Sequence, residues 1–207
     1  VYRQRIWALA TGLRQPANLD YALKLAFAFA VTAAVGLPVR MLGWELPETV
    51  TPVAWALVIG GLWILLAERL AERRQGLAEV TWTVALLVGL AQVVAGVFPG
   101  TSRSAAAIFV AMLAGLNRRP AAAEFTFLVG IPTMFAASGW ALLEYAADGQ
   151  GDEDWGQLAV AFAAATLTGF AAVRWLLGYI RSHRFTGFAI YRIALGLALL
   201  LGLPAGA

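Results

Sequence analysis

This chain of 207 residues has no cysteine, one histidine and few charges. The absence of cysteine excludes a disulfide framework and any thiolate metal site. With His183 alone, no histidine cluster can form. Only 13% of the residues are Asp, Glu, Lys or Arg, against about a quarter in soluble domains. A net charge of +3 is too small to read as a nucleic-acid surface, and most basic residues flank apolar segments. The opening stretch, VYRQRIWALATGLRQPANLD, has neither an initiator Met nor a signal-peptide pattern. It reads as the middle of a longer chain, so upstream residues are expected. No segment carries a strand signal.

What remains is apolar. Hydrophobic residues make up 61% of the chain, with 21 Gly and 8 Trp, the composition of an integral membrane protein. One all-α transmembrane domain over 1–207 is expected. Apolar runs cover about 21–39, 53–67, 82–98, 105–116, 121–147, 155–180 and 188–203. Polar stretches separate them: GWELPETVTP (43–52), ERLAERRQGLAE (68–79), NRRPAAAE (117–124), DGQGDED (148–154) and RSHRFTG (181–187).

Loop charge assigns the sides. The stretches 1–20, 68–79, 117–124 and 180–187 hold Arg3, Arg5, Arg14, Arg69, Arg73, Arg74, Arg118, Arg119, Arg181 and Arg184. The stretches 41–52 and 148–154 are acidic, with no Lys or Arg. By the positive-inside rule the first group is cytoplasmic. Residues 68–79 and 117–124 then share a side, and the segment between them must enter and return. As helices its arms, 82–98 and 105–116, measure about 25 Å and about 18 Å, and the second is too short to cross about 30 Å of hydrocarbon. A re-entrant hairpin over about 82–116 is expected, its tip enclosed by protein or lining a wet cavity.

That tip reads PGTSRS (99–104). The start of its second arm is a helix N-terminus, with unpaired N–H groups and a partial positive charge that attract anions. Thr101, Ser102 and Ser104 add hydroxyls. Arg103 adds a planar fork suited to phosphate, and Gly100 lets the backbone approach a ligand closely. The bland alternatives are an N-cap for the serines, a simple Pro-Gly turn and a snorkelling arginine. An intramembrane charge is costly, which favours a site.

PGTSRSAAAIFVAMLAGLNRRPAAAEFTFLVGIPTMFAA (99–137) resembles the second signature of the bacterial undecaprenyl-pyrophosphate phosphatases, also called bacitracin-resistance proteins. FTGFAIYRIALGLALL (185–200), the ERL stretch after Gly60-Gly61 and GLAQ (89–92) are similar to the same family. The resemblance implies a multi-pass enzyme of the bacterial cytoplasmic membrane that removes the terminal phosphate of a C55 polyprenyl diphosphate, with the bilayer and that lipid as partners; the sequence leaves the oligomeric state open, a homodimer being one option. It also implies an inverted-repeat architecture with re-entrant helix pairs and a site facing the outer, periplasmic side. A divalent cation, Mg or Ca, is implied by the resemblance alone, and no ligand for it is identified in this chain.

Two departures stand out. The family's first signature, a pair of glutamates one helical turn apart and a Ser-rich segment ending in Gly-His, is not in these residues. Ala105 stands where the family has Gly. Arg103 is therefore assigned to transition-state phosphate binding. Ser102 is a candidate nucleophile with no visible base; Gly100, Thr101 and Ser104 contact substrate. The 207 residues alone are expected to be inactive. Two alternatives stay open: a transporter or flippase for lipid-linked phosphates, and a non-catalytic lipid binder.

Gln92, two turns before Pro99, either supports the site or makes an interhelical hydrogen bond. Glu124 reads as a favourable dipole partner, Glu144 as interfacial, and Arg174 and Arg192 as ion-paired or snorkelling. Glu68, Arg69, Glu72, Arg73 and Arg74 read as a solvated face, and His183 as a loop residue. Trp7, Trp44, Trp82, Trp140 and Trp155 read as interfacial. Gly60-Gly61 and the Ala-rich stretches 105–116 and 159–172 predict close helix packing.

Overall fold

The computed structural model describes residues 2–42, 49–73, 79–147 and 154–202. Trp44, Arg74, the side chain of Arg181 and most of the two acidic loops lie outside the described residues. Those residues form α1 (Arg3–Thr11), α2 (Pro16–Met41), α3 (Val50–Glu72), α4 (Trp82–Val97), α5 (Arg103–Leu113), α6 (Arg119–Ala147), α7 (Trp155–Ser182) and α8 (Thr186–Gly202), with no strand among them. The chain is an all-α polytopic membrane protein: α2, α3, α6 and α7 are each long and apolar enough to cross a bilayer, while α4, α5 and α8 are apolar but shorter.

The local signals act where the sequence places them. Pro16 opens α2 at a position whose N–H has no helical partner in any case. The Thr81 hydroxyl accepts the Val84 N–H at 3.2 Å to cap α4. A carboxylate oxygen of Asp154 accepts the Gly156 and Gln157 N–H groups at 2.8 and 3.2 Å to cap α7. At the end of α5, Gly115 takes φ +112°. The Leu116 N–H reaches the Ala111 carbonyl and the Gly115 N–H reaches that of Met112, a Schellman turn that only Gly accommodates without strain.

Helix α5 is the centre of the molecule. It packs on α3, α4 and α6, and Ala107, Ile108, Phe109, Ala111 and Met112 are all buried along it. The Phe109 ring meets Phe185 edge-on, 4.9 Å between centroids. Small residues bring the outer helices close. A Cβ on Gly61 would lie 2.9 Å from the Ala189 carbonyl oxygen, and one on Gly196 2.7 Å from that of Ala54, so α3 and α8 meet backbone to backbone. The packing predicted for Gly60-Gly61 and 105–116 is therefore found.

The stretch 159–172 differs. Every residue from Trp155 to Ala172 is exposed; α7 leans on α6, and no described helix covers its alanine stripe. Small residues permit close approach, but they do not supply a partner.

Between α2 and α4, Gly89 plays the same role. The Thr32 hydroxyl, which bonds the Ala28 carbonyl at 2.9 Å, also reaches the Gly89 carbonyl on the facing helix at 3.1 Å. A Cβ at Gly89 would stand 2.6 Å from the Ala28 oxygen. Gly89→Ala is expected to force the pair apart at a cost of about 1–3 kcal/mol, as overpacking does. It should lower the thermal midpoint measured by circular dichroism in detergent; an unchanged midpoint would contradict this contact.

The ion pairs gather at two ends. At one, Arg119 pairs with Glu68 at 2.9 Å and Glu72 at 3.0 Å, Arg184 pairs with Glu72 at 3.1 Å, and Arg5 pairs with Glu124 at 3.2 Å. At the other, Arg40 pairs with Glu144, which also accepts the Trp140 indole N–H at 2.6 Å. The segments expected on one side, around 68–73, 117–124 and 184–186, thus do meet at one end.

Glu68 corrects the solvated-face expectation. It is 3% exposed, and its carboxylate accepts the Phe185 N–H at 3.1 Å and the Thr186 hydroxyl at 3.4 Å. Those groups sit at the start of α8, where backbone N–H groups lack helical partners. Glu124 is likewise ion-paired to Arg5 rather than serving the helix end alone. Arg174 is exposed. His183, also exposed, stacks on Tyr179 at 4.4 Å, in keeping with a loop residue. Trp7, Trp82, Trp140 and Trp155 are all exposed, as interfacial rings should be.

Candidate anion site at the tip of the α4–α5 hairpin

Helices α4 and α5 form a hairpin whose turn is Phe98–Thr101. The Thr101 N–H donates to the Phe98 carbonyl at 3.2 Å. With Pro99 second and Gly100 third at φ +82°, this is a type II turn. A Cβ on Gly100 would also fall 2.8 Å from the Val53 carbonyl oxygen, so two independent constraints select glycine. Val53 and Ala56 lie near the start of α3, which puts the turn one to two helical turns in from the end of that span.

Arg192 fixes the turn. It stands within α8, away from either end, and its Nη2 donates to the Gly100 carbonyl at 2.7 Å and the Ala56 carbonyl at 3.3 Å. This corrects the ion-pair or snorkelling expectation. Gly60 makes room for the guanidinium: a Cβ there would lie 2.7 Å from Nη2.

Past the turn, Ser102 caps α5, its hydroxyl oxygen accepting the Ala105 N–H at 3.3 Å. Thr101 is half-buried beside it. Arg103 is the first residue of α5. Its Nη1 points to the Met134 sulfur at 3.0 Å, a weak acceptor, and no carboxylate among the described residues pairs with it.

Arg103 and Ser104 open onto a cavity of about 720 Å³. Gln92 and Thr126 line its polar wall, and Phe127, Ile131, Met134, Phe135 and Phe162 its apolar side. The structure thus brings three of the sequence candidates together, Gln92, Arg103 and Ser104. Gly100, Thr101 and Ser102 stand behind them, holding the turn and the cap. Gln92 lines the cavity as one expectation had it, and its Oε1 is buried with no hydrogen-bond partner among the described residues, as is the Thr126 hydroxyl. An unpaired buried polar atom costs about 1–3 kcal/mol. Thr126 gives no sign in the sequence, being one more threonine in an apolar helix.

The divalent ion implied by the resemblance finds no support in these residues. Among the described residues no Asp, Glu or His lines the cavity, and no group of three or more His, Cys, Asp or Glu could hold a metal. An amide, the three hydroxyls of Ser104, Thr126 and Ser138 and a guanidinium are donors for an anion, not a cage for a hard cation.

Comparison with known proteins agrees with the resemblance at 99–137. The chain is 66% identical over 206 residues to the undecaprenyl-diphosphatase of Xanthomonas axonopodis pv. citri (strain 306), covering 99% of this chain and 78% of that protein. It is 67% identical over 204 residues to the undecaprenyl-diphosphatase of Xanthomonas campestris pv. campestris (strain 8004), with 98% and 78% covered. It is 62% identical over 201 residues to that of Xylella fastidiosa (strain 9a5c), with 97% and 77% covered. The family described as bacitracin resistance protein BacA matches residues 1–198, and with this breadth of match the chain belongs to that family.

Proposed function

We propose that this chain is the substrate-gripping part of an undecaprenyl-diphosphate phosphatase, which hydrolyses the lipid diphosphate to the monophosphate and phosphate and so recycles the carrier for cell-envelope synthesis. One observation carries the reading. A guanidinium with no carboxylate partner stands at a helix start, beside a cavity with one polar and one apolar side. The anionic head belongs against Arg103 and Ser104, where the guanidinium fork and the α5 N-terminus balance the charge that grows on the phosphoryl oxygens as the anhydride bond breaks. The first isoprene units belong along Phe127, Ile131, Phe135 and Phe162.

The Ser102 hydroxyl has no His, Asp or Glu near enough to activate it among the described residues, so Arg103 and Ser102 are proposed as charge stabiliser and helix-capping partner. Base and nucleophile are expected in a first-signature segment carrying the glutamate pair. A divalent ion would belong to that segment too, and no step is assigned to it here. The multi-pass chain is placed in the cytoplasmic membrane with the hairpin re-entrant from the outer face, the acidic side of the charge asymmetry; a homodimer is the proposed assembly.

In nanodiscs the 207-residue chain is expected to bind farnesyl diphosphate far more tightly than farnesol. It should release phosphate only when joined to the first-signature segment of a Xanthomonas relative. Equal affinity for diphosphate and alcohol would refute the reading, and turnover by the chain alone would place a base within these residues.

A further inference from the structure

A threonine inside a helix ordinarily turns its hydroxyl back to the carbonyl four residues earlier. Thr11, Thr32, Thr133, Thr166 and Thr168 all do so, at 2.8, 2.9, 2.8, 2.7 and 2.7 Å. Thr126 does not. Its carbonyl partner would be that of Ala122, yet its hydroxyl is buried and bonded to nothing, in a residue only 3% exposed. Gln92, on the facing helix α4, is 4% exposed, and its Oε1 is in the same condition. Both line the cavity that holds Arg103 and Ser104. Buried polar groups in a folded protein find partners, so two orphans among the residues that line one cavity with a guanidinium point to a polar ligand there.

We propose that Thr126 is a substrate-binding residue, which with Gln92 grips the phosphate end of the lipid diphosphate in the cavity it shares with Arg103. This rests on the functional reading above and deepens it. The division of labour is chemical. Arg103 offers charge and only donors. The Thr126 hydroxyl donates to a phosphoryl oxygen or accepts from a protonated one, and the Gln92 carboxamide can turn to do either. The pair can therefore follow the phosphate through changes of protonation that a guanidinium cannot match. The apolar side of the same cavity then takes the adjoining isoprene, so head and tail are read at one place.

The test is binding and melting in nanodiscs, with farnesyl diphosphate as probe. Thr126→Val keeps the shape and removes the hydroxyl. It is expected to weaken binding by about tenfold or more, the effect of losing a hydrogen bond to a charged group. Its melting temperature should hold or rise, because a methyl replaces an orphaned polar atom. Thr126→Ser restores the hydroxyl and should recover most of the affinity. Unchanged affinity in Thr126→Val would overturn the proposal and leave the pair to an internal water. A fall in melting temperature that accounts for the weaker binding would overturn it as well, making the hydroxyl structural. Arg103→Ala separates the two levels. If it abolishes binding while Thr126→Val does not alter it, the function stands and this inference falls. If the parent chain prefers farnesyl diphosphate no more than farnesol, both fall.

Discussion

Arg103→Ala, in the chain joined to a first-signature segment, should cut kcat/KM for farnesyl diphosphate by about 10²–10³, the range for removing one preorganised donor from developing negative charge. Its melting temperature should move little. The side chain is half-buried, its one polar contact is the thioether of Met134, and the α5 cap is made by Ser102, which the substitution leaves in place. The loss should fall on kcat more than on KM if the fork tightens as the anhydride breaks. Arg103→Lys keeps the charge without the planar fork, so it should recover only part of the rate. Stopped assays of phosphate release on both variants check this, and parent-like kcat/KM in Arg103→Ala would remove the residue from the mechanism.

Glu68→Ala should produce the largest loss of stability. The carboxylate is nearly enclosed and serves three groups at once: the Arg119 guanidinium, the Phe185 N–H and the Thr186 hydroxyl. Its removal leaves the Phe185 N–H and the Thr186 hydroxyl without their acceptor, at about 1–3 kcal/mol for each buried group left unpaired, and leaves Arg119 with Glu72 as its remaining carboxylate. Glu68→Gln keeps an acceptor for the Phe185 N–H but not the charge facing Arg119, and should fall between. Thermal unfolding in detergent, followed by circular dichroism, ranks the three. Because Glu68 lies far along α3 from Val53 and Ala56, where the turn packs, the folded fraction of each variant should still bind diphosphate normally.

The helices were legible because apolar runs and their breakers fix them. Pro99-Gly100 follows the end of α4, and Pro120 lies in the first turn of α6. The hairpin followed from arithmetic on loop charge and arm length. Arg103 stood out as a charge in a long apolar stretch and Gln92 as an amide within an apolar helix, and both line the cavity. Glu68 was not: it lies among charges spaced as on any solvated helix end, and the Phe185 N–H that claims it comes from 117 positions away. Arg192 was misread for the same reason, since its partners are backbone carbonyls of a distant turn, and backbone acceptors leave no trace in residue identity. The stripe at 159–172 fails in the opposite direction, because alanine spacing describes a surface and not what meets it.

That uncovered stripe has a mechanical consequence. Helix α7 has 28 residues, about 42 Å, against about 30 Å of hydrocarbon, so it either tilts or carries its ends into the headgroup layers. Its last turns are held, with Trp175 and Tyr179 against Phe188, while the stretch that carries Phe162 leans on α6 alone among the described helices. Membrane thickness is therefore expected to act on the apolar side of the cavity through Phe162.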